Sequence, residues 1–210
     1  MTFRFEKPII YLITKGEATE SNFVNARREI LDIVRVAVDE GVSLVQLREK
    51  RLSARSLVEL TTVVAAVTRG TPTRLLVNDR ADIAVAAGAD GVHLTANSLP
   101  VEVIRRNFPR DLIIGVSTHS AEDAVNAAQA GADLAVFGPV FESPGKGEPS
   151  GLAVLSEVCS ELAPFPIIGL GGINASNYES VLAAGSSGIA AIRLLNDEDS
   201  LRSIARTLRR

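Results

Sequence analysis

Residues Ala86–Leu94 read AAGADGVHL, and the phrase returns as QAGADLAVF at Gln129–Phe137 and AAGSSGIAAI at Ala183–Ile192. A fainter copy, DEGVSLVQL, occupies Asp39–Leu47. In each copy a helix-forming stretch runs into a glycine and then into an apolar, mostly β-branched run. Glycine at that point supplies the left-handed backbone that ends a helix. The same helix-to-strand joint, four times in one chain, marks an internal repeat of a βα unit.

Working outward from these joints, short apolar runs suited to strands fall at Ile9–Thr14, Leu44–Leu47, Leu75–Asn78, Gly91–Leu94, Ile113–Val116, Leu134–Phe137, Ile167–Gly169 and Ile189–Ile192. Helical stretches are expected near Asn25–Glu40, Ala54–Arg69, Ala81–Ala87, Val101–Asn107, Glu122–Ala130, Gly151–Leu162, Asn174–Ala184 and Asp197–Leu208. Ser53, Ser120 and Asn174 stand where side-chain caps belong. The strands are too short and too uniformly apolar for a sheet with one wet face, so they suit a parallel sheet covered by helices. Eight βα units with no linker or composition break predict one α/β domain over residues 1–210, a single compact (β/α)8 TIM barrel. An open doubly wound sheet would want a glycine-rich fingerprint after its first strand, and LITKGEATE has none.

Composition narrows the function. Of 210 residues, 46% are hydrophobic and 22% charged, enough for a large core. Acidic residues number 25 against 22 basic, with no long basic run, so a nucleic-acid partner is not expected. The single Cys159 excludes an internal disulfide or a thiolate cluster and reads as core. No apolar run approaches the ~18 residues of a membrane span, and MTFRFEKP lacks a signal-peptide core. A cytoplasmic protein without a membrane partner is the expectation; assembly of identical copies stays open.

Barrels of this kind place their chemistry after the C-terminal ends of the strands. Thr14 and Lys15 follow the first strand. The second runs into VQLREK, placing Gln46, Arg48 and Lys50 at alternate positions, hence on one face while the chain stays extended. A guanidinium fork and an ammonium on that face suit a diphosphate, although a solvated strand end has the same composition. Asn78 and Asp79 follow the third strand; the carboxylate either meets a hard cation such as Mg2+ or caps the helix near Ala81. His93 sits mid-run and reads as structural. Ser117 and His119 close the fifth strand; His119 is either an acid/base group or a loop histidine bonded to backbone. Gly171 and Gly172, followed by a helix capped at Asn174, would offer backbone N–H groups to a phosphate, with Arg193 adding charge from the eighth strand. Arg48, Lys50, Lys146 and Arg193, far apart in sequence, are expected to gather at the barrel's mouth.

VQLREK, LLVNDR, GADGVHL, IIGVSTHS, VFGPVF with Lys146 downstream, and IIGLGGI occur in the order and spacing of one family. The chain resembles the thiamine phosphate synthase/TenI superfamily from about Ile9 to Ile192. Its synthases join a hydroxymethylpyrimidine diphosphate to a thiazole phosphate and release diphosphate. The resemblance implies small phosphorylated pyrimidine and thiazole partners, with Gln46, Arg48, Lys50, Asn78, Ser117 and Lys146 on the diphosphate or pyrimidine. It makes Asp79 a Mg2+ ligand and places Gly171 at the thiazole phosphate. The chain departs from the synthase pattern in three places. Thr95-Ala96-Asn97-Ser98 stands where Gly-Gln-x-Asp supplies a second carboxylate. Glu142-Ser143-Pro144-Gly145-Lys146 stands where Pro-Thr-x-Thr-Lys is usual, keeping the Ser143 hydroxyl and the lysine. Arg193 replaces a serine. These departures resemble the TenI branch, a thiazole tautomerase in which a histidine matching His119 moves the proton; Gln46 and Asp79 resemble the synthases. The reading adopted is the synthase, with a thiazole tautomerase using His119 and a phosphate-binding barrel without catalysis as the alternatives.

Overall fold

A computed structural model describes residues 8–209. Strands β1 (Ile9–Ile13), β2 (Leu44–Leu47), β3 (Arg74–Asn78), β4 (Gly91–Leu94), β5 (Ile113–Thr118), β6 (Leu134–Phe137), β7 (Ile167–Leu170) and β8 (Gly188–Ala191) form a closed parallel barrel in chain order. The helices after them are α1 (Phe23–Asp39), α2 (Ala54–Thr68), α3 (Ala81–Ala87), α4 (Val101–Asn107), α5 (Ala121–Gln129), α6 (Gly151–Glu161), α7 (Tyr178–Ala183) and α8 (Glu198–Leu208), with a short 3-10 helix, Leu194–Asn196, before α8. The expected (β/α)8 barrel is the observed one.

The strands are buried almost throughout, as their unbroken apolar runs require. Registers are regular, for instance Tyr11 opposite Leu44 and Gln46 opposite Leu76. Ile9 N–H donates to the Ser187 carbonyl (2.8 Å), and a Cβ on Gly188 would stand 2.0 Å from the Ile9 carbonyl oxygen, so only glycine admits that approach.

The repeat phrase has a structural reason. Gly41, Gly88, Gly131 and Gly185 all take positive φ, between 58° and 92°, at the ends of their helices. Two residues after Gly88, Asp90 accepts the Leu75 N–H (2.8 Å) and faces Arg74; two after Gly131, Asp133 accepts the Ile114 N–H (2.7 Å) and pairs with Arg105. Each aspartate thus satisfies a backbone donor at the entry of the preceding strand.

Contacts group the chain into two compact halves: residues 94–191 with the start of β1, and residues 11–93 with 192–209. In the latter, Glu40, just past α1, takes Arg202 and Arg206 of α8 on its carboxylate at 2.7–3.2 Å. The hydrogen bond from Arg206, then that from Arg202, holds this carboxyl below its usual range against the opposing effect of desolvation. In the former, Arg105 of α4 reaches the carbonyls of Leu112 and Gly131 as well as Asp133. No described helix is long and apolar enough to cross a membrane.

Two expected caps form: Ser53 Oγ accepts the Ser56 N–H, and Ser120 with Asp123 makes a reciprocal capping box. The third does not. Asn174 Oδ1 accepts from the Ser176 N–H and hydroxyl, and the Asn174 N–H donates to Asn177 Oδ1, so residues 174–177 close into a turn and α7 starts only at Tyr178.

Candidate active site

In the half formed by residues 11–93 and 192–209, Gln46 lies at the end of β2, 1% exposed, its Nε2 donating to the Tyr11 hydroxyl (3.0 Å). That hydroxyl meets His93 Nδ1 at 3.1 Å, which completes a buried chain Gln46–Tyr11–His93 across β2, β1 and β4. Burial pushes the Tyr11 hydroxyl pKa up, and it pushes His93 down to about 4, outweighing the opposite pull of the Asp79 charge. His93 is therefore neutral near pH 7 and shares a hydrogen bond with the Tyr11 hydroxyl, the structural role its sequence position suggests.

β2 ends at Leu47, one residue before Arg48. Arg48 is half-buried, its N–H donating to Thr14 Oγ1 (2.9 Å), while Lys50 is exposed in a turn. The extended alternation expected for Gln46, Arg48 and Lys50 thus reaches Arg48 and is lost before Lys50, because the chain bends toward α2. At the end of β3, Asn78 is 6% exposed and donates Nδ2–H to Asp79 Oδ2 (2.6 Å); its Oδ1 is buried without a hydrogen-bond partner among the described residues. Asp79 takes φ 61°, with its N–H donating to the His93 carbonyl (2.9 Å). It does not cap α3, whose N-cap position is Arg80, with no side-chain cap bond. Arg193, past β8, lines a cleft with Lys15, Glu17 and Asn196. Asn196 Nδ2 donates to the carbonyls of Ile13 and Ile192, both at 2.7 Å, tying the end of β1 to Ile192. This anchor has no motif around it, and nothing short of the fold points to it.

In the half formed by residues 94–191, Ser117 and His119 line one cleft, with Asp123 beside them. His119 Nδ1 lies at 2.5 Å from the Gly138 carbonyl, and a carbonyl can only accept. Nδ1 therefore carries the proton of that bond, and Nε2 takes no part in it. The His119 N–H donates to Asp123 Oδ2 (3.0 Å), the largest of the effects that hold that carboxyl below its ordinary range. Ser143 and Lys146 share the concave loop after β6, with the Lys146 N–H donating to the Ser143 carbonyl (3.1 Å). This loop is zipped onto the one after β7 by the Val140 N–H to the Leu170 carbonyl (2.8 Å) and the Phe141 N–H to the Gly171 carbonyl (3.0 Å). Gly171 and Gly172 permit it: both have positive φ, and a Cβ on Gly172 would stand 2.5 Å from the Glu142 carbonyl oxygen. The structure brings residues 139–142, just before Ser143, against the glycine pair, a proximity the sequence spacing hides. The expectation of a capped helix immediately behind the glycines is corrected, since α7 begins at Tyr178 and spans six residues.

Among the described residues no three His, Cys, Asp or Glu side chains are placed to hold a metal ion. Ser98, at the position of the missing carboxylate, has its hydroxyl bonded to the Thr95 N–H (2.7 Å). Asp79 alone meets the least that Mg2+ asks of a protein, one or two carboxylates with phosphate oxygens supplied by a substrate.

The closed ring of eight parallel strands, each followed by a helix, defines a (β/α)8 barrel. The profile of the TMP-TENI family, thiamine monophosphate synthase, matches residues 10–195, and the chain belongs to this family. It is 41% identical over 181 residues to the thiamine-phosphate synthase of Methanoculleus marisnigri, covering 85% of each chain. It is 43% identical over 184 residues to a putative thiamine-phosphate synthase of Geobacter sulfurreducens, covering 86% of each. A solved thiamine phosphate pyrophosphorylase of Pyrococcus furiosus superposes with TM-score 0.80 at 30% identity, over 95% of this chain and 96% of that one.

Proposed function

We propose that this protein is a thiamine-phosphate synthase, coupling a hydroxymethylpyrimidine diphosphate to a thiazole phosphate. The bond from the pyrimidine methylene carbon to oxygen breaks, its electron pair leaving with diphosphate. The thiazole nitrogen lone pair then forms the new carbon–nitrogen bond. A ring amine stabilises the methylene cation, so the protein must chiefly neutralise the leaving group and hold the nucleophile in line. The observation that carries this reading is the buried, polar end of β2 and β3. There Gln46 is fixed on Tyr11, Arg48 is fixed on Thr14, and Asn78 presents an oxygen without a partner among the described residues. Asn78 Oδ1 suits a donor such as the ring amine, while Arg48 and Lys50 suit the diphosphate. Mg2+ arriving with that diphosphate would meet Asp79 and add to the neutralisation. Ser117 and Lys146 are assigned to the pyrimidine diphosphate, with Ser143, Gly171, Gly172 and Arg193 on the thiazole phosphate. A biosynthetic enzyme of this kind fits a cytoplasmic location.

One observation favours a second reading. The Nδ1–H bond of His119 to Gly138 fixes the ring and leaves Nε2 outside that bond, and thiazole tautomerisation needs a positioned proton-transfer group where coupling does not. The two part on variants. Coupling predicts thiamine phosphate from the two substrates, an Arg48→Ala rate down about 100-fold, and His119→Ala within about tenfold of the parent. Tautomerisation of a thiazole carboxylate phosphate, abolished in His119→Ala with no coupling at high enzyme concentration, would overturn it.

A further inference from the structure

Glu49 sits inside VQLREK between two cationic residues, yet it is 3% exposed and makes no ion pair among the described residues. Its carboxylate instead takes two backbone donors of the loop after β1, the Gly16 N–H on Oε1 (3.1 Å) and the Ala18 N–H on Oε2 (2.8 Å). A carboxylate accepting two amides is a strong, geometrically defined clasp. What it clasps lies against Arg48. Gly16 has φ 78°, and a Cβ there would stand 3.0 Å from the Arg48 carbonyl oxygen and 3.1 Å from its Nη1. The Arg48 N–H is held by Thr14, from the same segment.

We propose that Glu49 is a positioning residue for Arg48. By fixing the backbone of residues 16–18 it builds the wall along which the guanidinium runs, so Arg48 meets the diphosphate already oriented. The inference rests on the assignment of Arg48 to diphosphate. It also explains why an acid lies beside an anion site: removing its charge would by electrostatics alone tighten anion binding, whereas losing the clasp loosens it. The two effects have opposite sign.

The test is calorimetric titration of the intact protein and its variants with inorganic diphosphate, alongside melting curves. Glu49→Gln keeps the shape but can accept only one of the two amides; its dissociation constant is expected to rise about tenfold, the loss of one charge-assisted bond. Glu20→Gln is the control for mere loop stability, because Glu20 ties the same loop region to the Ser53 N–H and the Ser56 hydroxyl without touching Gly16. It should bind diphosphate within about twofold of the parent. Gly16→Ala, which crowds Nη1 directly, should repeat the Glu49→Gln loss, and it decides the matter if Glu49→Gln does not fold. Unchanged or tighter binding in Glu49→Gln, or equal loss in Glu20→Gln, overturns the proposal. A parent protein that binds no diphosphate overturns instead the assignment on which it rests.

Discussion

Asp79 is the one described non-glycine residue with positive φ, and its neighbours explain how that conformation persists. Aspartate tolerates the left-handed region better than most residues. Here the His93 carbonyl holds its N–H and Asn78 holds its carboxylate. Strain kept in place by surrounding bonds is a mark of functional positions. The sequence displays the Asn-Asp pair but not its backbone, and only the structure shows that the N-cap position of α3 is Arg80 and not Asp79. Behind Asp79, burial depresses the His93 pKa from 6.5 to about 4. Between those values the unfolded chain binds a proton that the folded protein refuses, so stability falls as pH drops from about 6.5 to 4 and levels below. The full difference is at most about 3 kcal/mol. Denaturant melts of the parent and His93→Gln across this window should show a slope in the parent that the variant lacks; parallel slopes would mean His93 does not titrate in this way.

At the scale of elements, what the sequence revealed depended on whether the signal was local. Glycine after a helix is local, and all four glycines of the repeat took the expected left-handed turn. Ser120 is local too: it caps α5 with Asp123 returning the bond. Ser120→Ala should cost about 1 kcal/mol, read as a shift in the denaturation midpoint at unchanged slope. An effect near zero would mean that Asp123 alone satisfies the helix end. Asn174 misled because Asn177, three residues on, offers a competing carbonyl, and two short amides closed a turn in place of a helix start. The aspartates of the repeat, Asp90 and Asp133, were visible as letters only; that each receives an N–H from the preceding strand depends on a neighbour about 15–19 residues back.

For the whole molecule, eight apolar runs and four joints were enough for the barrel, because parallel strands covered by helices leave few other ways to bury them. The placement of a polar side chain was legible where a strand end carried it, as at Gln46, Arg48 and Asn78. It was illegible where two loops had to meet, as at Phe141 and Gly171, or where a distant side chain set the geometry, as with Asn196 on Ile13 and Ile192. A slightly acidic chain, with 25 acidic against 22 basic residues, nonetheless places cations at its strand ends, so overall charge says little about its substrates. The most direct measurement of what those strand ends do is product stoichiometry. With purified protein, hydroxymethylpyrimidine diphosphate, thiazole phosphate and Mg2+, thiamine phosphate and diphosphate should appear one for one, and both should fall together in Arg48→Ala. Diphosphate release without thiamine phosphate, or neither product at high enzyme concentration, would contradict the assignment.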